Sequence, residues 1–333
     1  MLLGGYMVKV SVIVPVYNSS KYLRKCLDSL KKQTIDDIEF IIVNDCSIDN
    51  SLDIINEYLD DPRFILINNI KNGGTGYSRN KGISRSRGEY IGFVDSDDYV
   101  SKTMYETMYK CATNNDCDVV VSNISFVNDD NGYNESLASQ YSESGYLVDM
   151  KNDPDTIFFQ SPSVCNKLFR RELVNKSSFL EGVMFEDIAF SYNMLMMSNK
   201  TYYMSNHDYY YRKGYEGISS TVYKPNYHIN DIFDVCDDIG RCAIRHGYFD
   251  KYYDQIKFLQ ISSSLIRLRE IIDWDLDDSS KNKIIVRFLN AIDKRFGDYH
   301  DLDKGLLSMK FSVLDMDYVD NIRKMREKRK NTL

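Results

Sequence analysis

Short, nearly continuous apolar runs alternate with amphipathic stretches through roughly the first 130 residues, and this alternation restricts the fold more than any other feature of the chain. Val10-Ser11-Val12-Ile13-Val14 ends at Pro15, as a strand buried on both faces would. The following stretch, Lys21 to Gln33, places Tyr22, Leu23, Cys26, Leu27 and Leu30 on one helical face. The pattern repeats. Strands are predicted at Phe40–Val43, Phe64–Ile67, Tyr90–Val94 and Val119–Val121, and helices at Ser51–Leu59, Tyr77–Ser86 and Lys102–Cys111. Strand–helix–strand units with right-handed crossovers build an open, mostly parallel α/β sheet flanked by helices.

Beyond this the character changes. Residues Asn128 to Asp155 turn to Asn, Asp, Ser and Gly, the composition of a long loop or irregular hairpin. Strand and helix signals resume from Val164 to Tyr211. After Pro225 helical periods dominate, at Ile229–Ala243, Tyr253–Ile272, Lys281–Phe296 and Tyr318–Lys330. The expected organisation is an α/β domain over residues 7–225 and a helical C-terminal region over 226–333, with Met1 to Tyr6 an extension or a flexible end.

At 333 residues the chain can bury a core without disulfide or zinc staples. Its seven cysteines are odd in number and form no C-x-x-C, which points to buried thiols in a reducing cytoplasm. A net charge of -7 argues against a nucleic-acid partner. No apolar run approaches the ~20 residues of a membrane span, and the first residues lack the basic and apolar regions of a signal peptide. A cytoplasmic location is expected.

In an open α/β sheet ligands bind beyond the carboxyl ends of the strands. Pro15-Val16-Tyr17-Asn18 follows the first strand, where a dinucleotide fingerprint would need its glycines. Gly73-Gly74-Thr75-Gly76 has no Gly-Lys-Ser/Thr after it, which removes Walker-type chemistry. Asn44-Asp45-Cys46-Ser47 follows the second strand and Asp95-Ser96-Asp97-Asp98 the fourth. Strand alternation would put Asp95 and Asp97 on one side. Carboxylates about 5 Å apart repel by roughly 3 kcal/mol per pair at an effective dielectric of about 20. A hard divalent cation, Mg²⁺ or Mn²⁺, would relieve that repulsion, held by one or two carboxylates and substrate phosphates. Taken alone, the cluster fits an acidic turn ahead of the next helix at least as well.

Together the pieces carry more information. Val12 to Asn18, Ile42 to Asp49, Asn72-Gly73-Gly74 through Ser78-Arg79-Asn80-Lys81-Gly82, Gly88 to Asp98, and Phe185-Glu186-Asp187 resemble the inverting family-2 glycosyltransferases of GT-A fold, over roughly residues 8 to 215. The resemblance implies that Pro15 and Tyr17 line a nucleotide pocket, with Tyr17 against the base. Asp45 would accept the uracil N–H, favouring a UDP-sugar, and Arg79 would approach the diphosphate or ribose. Asp95 and Asp97 would hold the metal, with Asp97 and Asp98 also serving the nucleotide-sugar. Asp187 would be the base that takes the acceptor's proton, and Glu186 would bind acceptor or fix its neighbour. Family members commonly read D-D-G-S where this chain has Asn44 to Ser47. Cys46 therefore replaces a glycine, which matters only if that position needs a positive φ.

Weaker candidates accompany these. Lys167, in Asn166-Lys167-Leu168-Phe169-Arg170-Arg171, would hold phosphate or acceptor, or lie at the surface. Tyr209-Tyr210-Tyr211-Arg212, ahead of Gly214 and Gly217, reads either as core strand or as the root of a lid. His207 is either structural or a ligand. Residues 321–330 hold six basic side chains against one acidic, the charge of a frayed end or of a peripheral contact with the inner face of an anionic membrane. The expected activity is transfer of a hexosyl or N-acetylhexosaminyl unit from a UDP-sugar to a saccharide acceptor, lipid-linked or free, in surface polysaccharide synthesis, with homodimerisation through the helices a further expectation. The rivals are a nucleotide-sugar-binding scaffold and a sugar nucleotidyltransferase, whose Gly-rich loop after the first strand has no counterpart at Pro15 to Ser20.

Overall fold

The computed structural model describes residues 8–128, 133–137, 145–212, 227–272 and 274–297. Its strands are β1 (Val10–Val16), β2 (Ile38–Asn44), β3 (Phe64–Asn68), β4 (Tyr90–Phe93), β5 (Tyr99–Val100), β6 (Val119–Asn128), β7 (Tyr133–Leu137), β8 (Tyr146–Asp149), β9 (Lys167–Arg170) and β10 (Lys200–Arg212). The helices are α1 (Ser20–Lys31), α2 (Ser51–Asn56), α3 (Gly74–Arg85), α4 (Met104–Asn115), α5 (Arg171–Val174), α6 (Glu186–Met197), α7 (Asp231–Arg245), α8 (Tyr253–Ile272) and α9 (Asp278–Phe296). Met1 to Tyr6, the glycines at 214 and 217, and the basic 321–330 segment lie outside the described residues.

The strands form one open sheet in the order β3-β2-β1-β4-β9-β6-β10-β5, with β7 added to β6 and β8 to β10. β3, β2, β1 and β4 run parallel, as do β6 and β10. β9 enters between β4 and β6 antiparallel to both, so the sheet is mixed around its parallel β3-β2-β1-β4 half. Within the composition-biased 128–155 stretch, β7 returns along β6 and β8 pairs with β10, so part of that irregular hairpin extends the sheet.

The central strands are apolar because both their faces are covered: every residue of β2 is buried, and β1 is buried but for Pro15. α3 lies close on β1, since a Cβ at Gly82 would come within 2.4 Å of Ile13 Cγ2. At the amino ends of these strands the carboxylate of Glu39 is buried but fully engaged. It accepts hydrogen bonds from Ser11 Oγ (2.6 Å), the Arg87 amide (2.6 Å) and the Arg87 guanidinium (2.7 and 2.9 Å). A buried charge needs such compensation.

α7 packs on α6, α8 on α7, and α9 on α8. One hydrophobic core runs continuously from Val10 to Phe296. α8 spans the residues that the sequence period predicts, while α9 starts earlier, where Asp277 Oδ1 accepts the Ser280 amide (2.9 Å) as a cap.

Candidate active site

The loops after β1, β2, β3 and β4 meet at the carboxyl edge of the sheet. Asn18, at φ +48°, donates its amide to Ser47 Oγ (3.1 Å) and accepts the Ile48 amide on its side chain (2.9 Å), lacing the first two loops together. Tyr17 stands beside it with its ring exposed, and Pro15 is half-buried in β1 opposite Val43. Asp45 is buried. Its Oδ1 accepts from Asn69 Nδ2 (2.8 Å) and the Gly73 amide (3.0 Å), and its Oδ2 accepts the Gly74 amide (2.8 Å). Asp45 thus fixes the loop that leads into α3. Cys46 has φ +60°, so the position does require the left-handed conformation that a glycine would adopt freely.

The acidic cluster is not an extension of a strand. β4 ends at Phe93, and the Asp98 amide donates to the Asp95 carbonyl (3.0 Å), closing a turn. The turn, rather than strand alternation, separates the carboxylates. Asp98 points into the protein, where its carboxylate accepts from Tyr209 Oη (2.6 Å) and the Arg212 amide (2.9 Å). Burial, reinforced by the charges of Asp97 and Asp95, pushes its pKa well above the carboxylate range. Asp95 and Asp97 remain partly exposed. Tyr209 and Arg212, which the sequence presents as core strand or the root of a lid, support the turn: Tyr209 Oη also accepts the Asp95 amide (3.3 Å), and Arg212 Nε donates to the Asp97 carbonyl (2.7 Å).

Arg79, on α3, is buried and bridges two motifs. Its guanidinium donates to Asp95 Oδ1 (2.8 Å) and Glu186 Oε1 (2.6 Å), and lies 5.3 Å from the Phe179 ring centre. Phe179 stacks on Phe190 at 3.9 Å, with Phe93 edge-on to both. α3 comes close enough for this because residue 76 is glycine: a Cβ there would sit 2.0 Å from the Leu180 carbonyl oxygen.

Glu186 and Asp187 open α6. The residue before them, Phe185, has φ +66°, a conformation that costs a bulky side chain about 1–2 kcal/mol. Burial raises the Glu186 carboxyl to about 7, with Arg79 opposing and Asp187 adding to the rise. Asp187 is also raised by burial, again against the pull of Arg79. The charge of Arg79 only partly offsets the burial of Glu186 and Asp187, and their mutual repulsion favours holding a proton on the pair.

Lys167 is fully buried. Its Nζ donates to the carbonyls of Ser161 (2.7 Å) and Ser163 (2.5 Å) and to Asn166 Oδ1 (3.1 Å). Burial lowers its pKa to about 7, with the charge of Asp187 opposing. It pins the 161–166 loop from inside. His207 sits on β10 with Nε2 3.4 Å from Asn123 Nδ2.

Among the described residues, no three His, Cys, Asp or Glu side chains form a protein-only metal cage. A hard cation can also be held by one or two carboxylates together with substrate phosphates, and Asp95 and Asp97 are the two carboxylates of the turn that remain partly exposed.

Residues 11–177 match the family described as Glycosyl transferase family 2. The chain belongs to glycosyltransferase family 2.

As in that family, the fold is GT-A. This glycosyltransferase is 33% identical to glycosyltransferase GlyG of Streptococcus pneumoniae over 226 residues, covering 64% of this chain and 74% of that protein. It is 31% identical to the cholesterol galactosyltransferase of Borreliella burgdorferi over 296 residues, covering 81% of this chain and 78% of the other. The structure of S. aureus TarS 1–349 in complex with UDP-GlcNAc superposes with a TM-score of 0.59 at 26% identity, over 86% of this chain and 73% of that one. Among the described residues no helix is long and apolar enough to cross a membrane. The matched segment ends before Glu186 and Asp187, which reach the site through α6.

Proposed function

We propose that this family-2 glycosyltransferase is an inverting enzyme that moves a sugar from a UDP-sugar to a saccharide acceptor, lipid-linked or free, in the assembly of a surface polysaccharide. One observation carries the reading: Asp95, Arg79 and Glu186 form a continuous hydrogen-bonded network, running from the partly exposed Asp95 through buried Arg79, that ends beside Asp187 at the carboxyl edge of the sheet. The UDP-GlcNAc-bound TarS structure, from a poly(ribitol-phosphate) beta-N-acetylglucosaminyltransferase, supports the donor class and a polymer acceptor.

In this reading the loops carrying Pro15, Tyr17 and Asp45 receive the nucleotide, with Tyr17 flanking the base and Asp45 shaping the pocket through Gly73 and Gly74. Asp187 accepts the proton of the acceptor hydroxyl as its oxygen attacks the anomeric carbon, and the bond to UDP breaks on the opposite face of the sugar. A positioned carboxylate base is worth roughly 10²–10⁴-fold. Asp95 and Asp97 would hold Mn²⁺ or Mg²⁺, which when bound neutralises charge on the leaving diphosphate. Arg79 reaches these groups indirectly, by fixing Asp95 and Glu186. The division into a transferase domain to residue 225 and a helical region after it, together with homodimerisation and a peripheral membrane contact through residues 321–330, belongs to the same proposal.

The test is release of UDP from a panel of UDP- and GDP-sugars, with and without Mn²⁺ and with varied saccharide acceptors. Metal-dependent release from one UDP-sugar, with inverted configuration in the product, is the expected result. Binding of a UDP-sugar with no release under any condition would favour a nucleotide-sugar-binding scaffold instead.

A further inference from the structure

The helical region reaches the segment that precedes the acidic pair. Met184 donates its amide to Asp231 Oδ2 (2.8 Å) at the first turn of α7, and the same oxygen lies 2.6 Å from His228 Nδ1. Next along the chain, the ring of Phe185 lies under the Arg267 guanidinium, 5.1 Å from its centre. Arg267 belongs to α8 and is 1% exposed. Its Nη1 donates to Glu270 (3.0 Å), and its guanidinium lies 5.4 Å from the Trp274 ring. A buried guanidinium over an aromatic face is a favourable cation–π arrangement, stronger away from water than at a surface.

Phe185 is the left-handed residue at the N-cap of α6. Such a conformation at a bulky side chain persists only where its surroundings impose it, and it tends to accompany functional groups. Here the surroundings come from two sides. α3 approaches the Leu180 carbonyl at Gly76, while α7 and α8 hold Met184 and Phe185. The direction in which Glu186 and Asp187 leave the chain is set between these contacts.

We infer that Arg267 is a positioning residue for the Glu186–Asp187 pair, acting through Phe185, so that the helical region is part of the transferase machinery. The inference rests on the proposed role of Asp187 but makes its own structural claim. A base misplaced by about 1 Å can cost a hundredfold in rate without changing how tightly the nucleotide binds.

Arg267→Met keeps the side-chain stem and removes the cation. Amide hydrogen exchange of the full chain should quicken across residues 182–188. The value of kcat for sugar transfer should fall by roughly 10–100-fold, with UDP affinity unchanged. Arg267→Lys should recover part of both effects. In Phe185→Gly, where the left-handed conformation comes freely, adding Arg267→Met should produce little further loss. Unaltered exchange at 182–188 in Arg267→Met, or equal losses in kcat and UDP affinity, overturns the inference, as does full additivity in the double variant. Should Arg267→Met fail to fold, Phe185→Leu decides in its place, with unchanged exchange and kcat counting against the inference. A wild-type protein without turnover refutes the transferase reading alone, because the exchange comparison still decides whether Arg267 positions the segment.

Discussion

Arg79 joins Asp95 to Glu186, donating 2.8 and 2.6 Å hydrogen bonds to carboxylates 16 and 107 residues away in the chain. The arginine and the glutamate are buried, and Asp95 keeps partial access to solvent. Removing the cation leaves uncompensated negative charge. Arg79→Met should lower unfolding free energy by about 3–5 kcal/mol, the usual consequence of breaking a buried pair from one side. Urea denaturation measures it, and Arg79→Lys should lose less.

Asp187→Asn should reduce transfer roughly 10²–10⁴-fold while leaving UDP affinity nearly intact. Steady-state kinetics combined with calorimetric titration of UDP separates the two quantities. A collapse of UDP affinity would move the base role elsewhere.

The pH dependence has a definite sign. Asp187 must be ionised to accept a proton, and burial raises its pKa, so the acid limb of kcat should lie above the ordinary aspartate range. Arg79 opposes that rise, and Arg79→Gln should therefore shift the limb to still higher pH. Stability carries a second signature. Glu186 rises from 4.5 to about 7, so the folded protein holds that proton more tightly than the unfolded chain does. Its contribution is fully present below pH 4.5 and is lost as the pH climbs through about 7. Glu186→Gln should flatten this part of the profile, as denaturation midpoints across that range would reveal.

Asp97→Ala should weaken UDP binding in Mn²⁺ and have little effect in EDTA. An equal loss under both conditions would remove its metal role.

Cys46→Gly should stabilise the protein by roughly 0.5–1 kcal/mol, since relief of the left-handed strain outweighs the added chain entropy of glycine. Chemical denaturation of the reduced protein reads the difference.

The alternation of periods carried the sheet and its covering helices, because a doubly buried strand such as Ile38–Asn44 must be apolar through its middle, Phe40 to Val43, and admits a polar side chain such as Glu39 only with its bonds satisfied. The acidic motifs were equally visible. What local sequence could not convey was where each group ends up. Strand alternation pairs Asp95 with Asp97, yet the chain leaves β4 at Phe93 and turns back, so Asp98 finds Tyr209, 111 residues away. Arg79 reads in the sequence as a neighbour of the diphosphate or ribose, and its bridge from Asp95 to Glu186 exists only because α6 arrives beside α3. Lys167 is similar: its interior position follows from the carbonyls of Ser161 and Ser163, which no side-chain pattern announces. Cys46 left a trace in the sequence as a substituted glycine, and its φ explains why glycine suits the position.

Trp274 is the only tryptophan in the chain, and it is buried against Arg267. Its emission, excited at the red edge of the aromatic band, comes from one place only: the layer of the helical region that faces Phe185. A nearby guanidinium perturbs indole fluorescence, so any ligand that shifts Arg267 should change intensity or colour without an attached dye. The protein carries an optical gauge of its own, placed one side chain away from the residue that precedes the acidic pair.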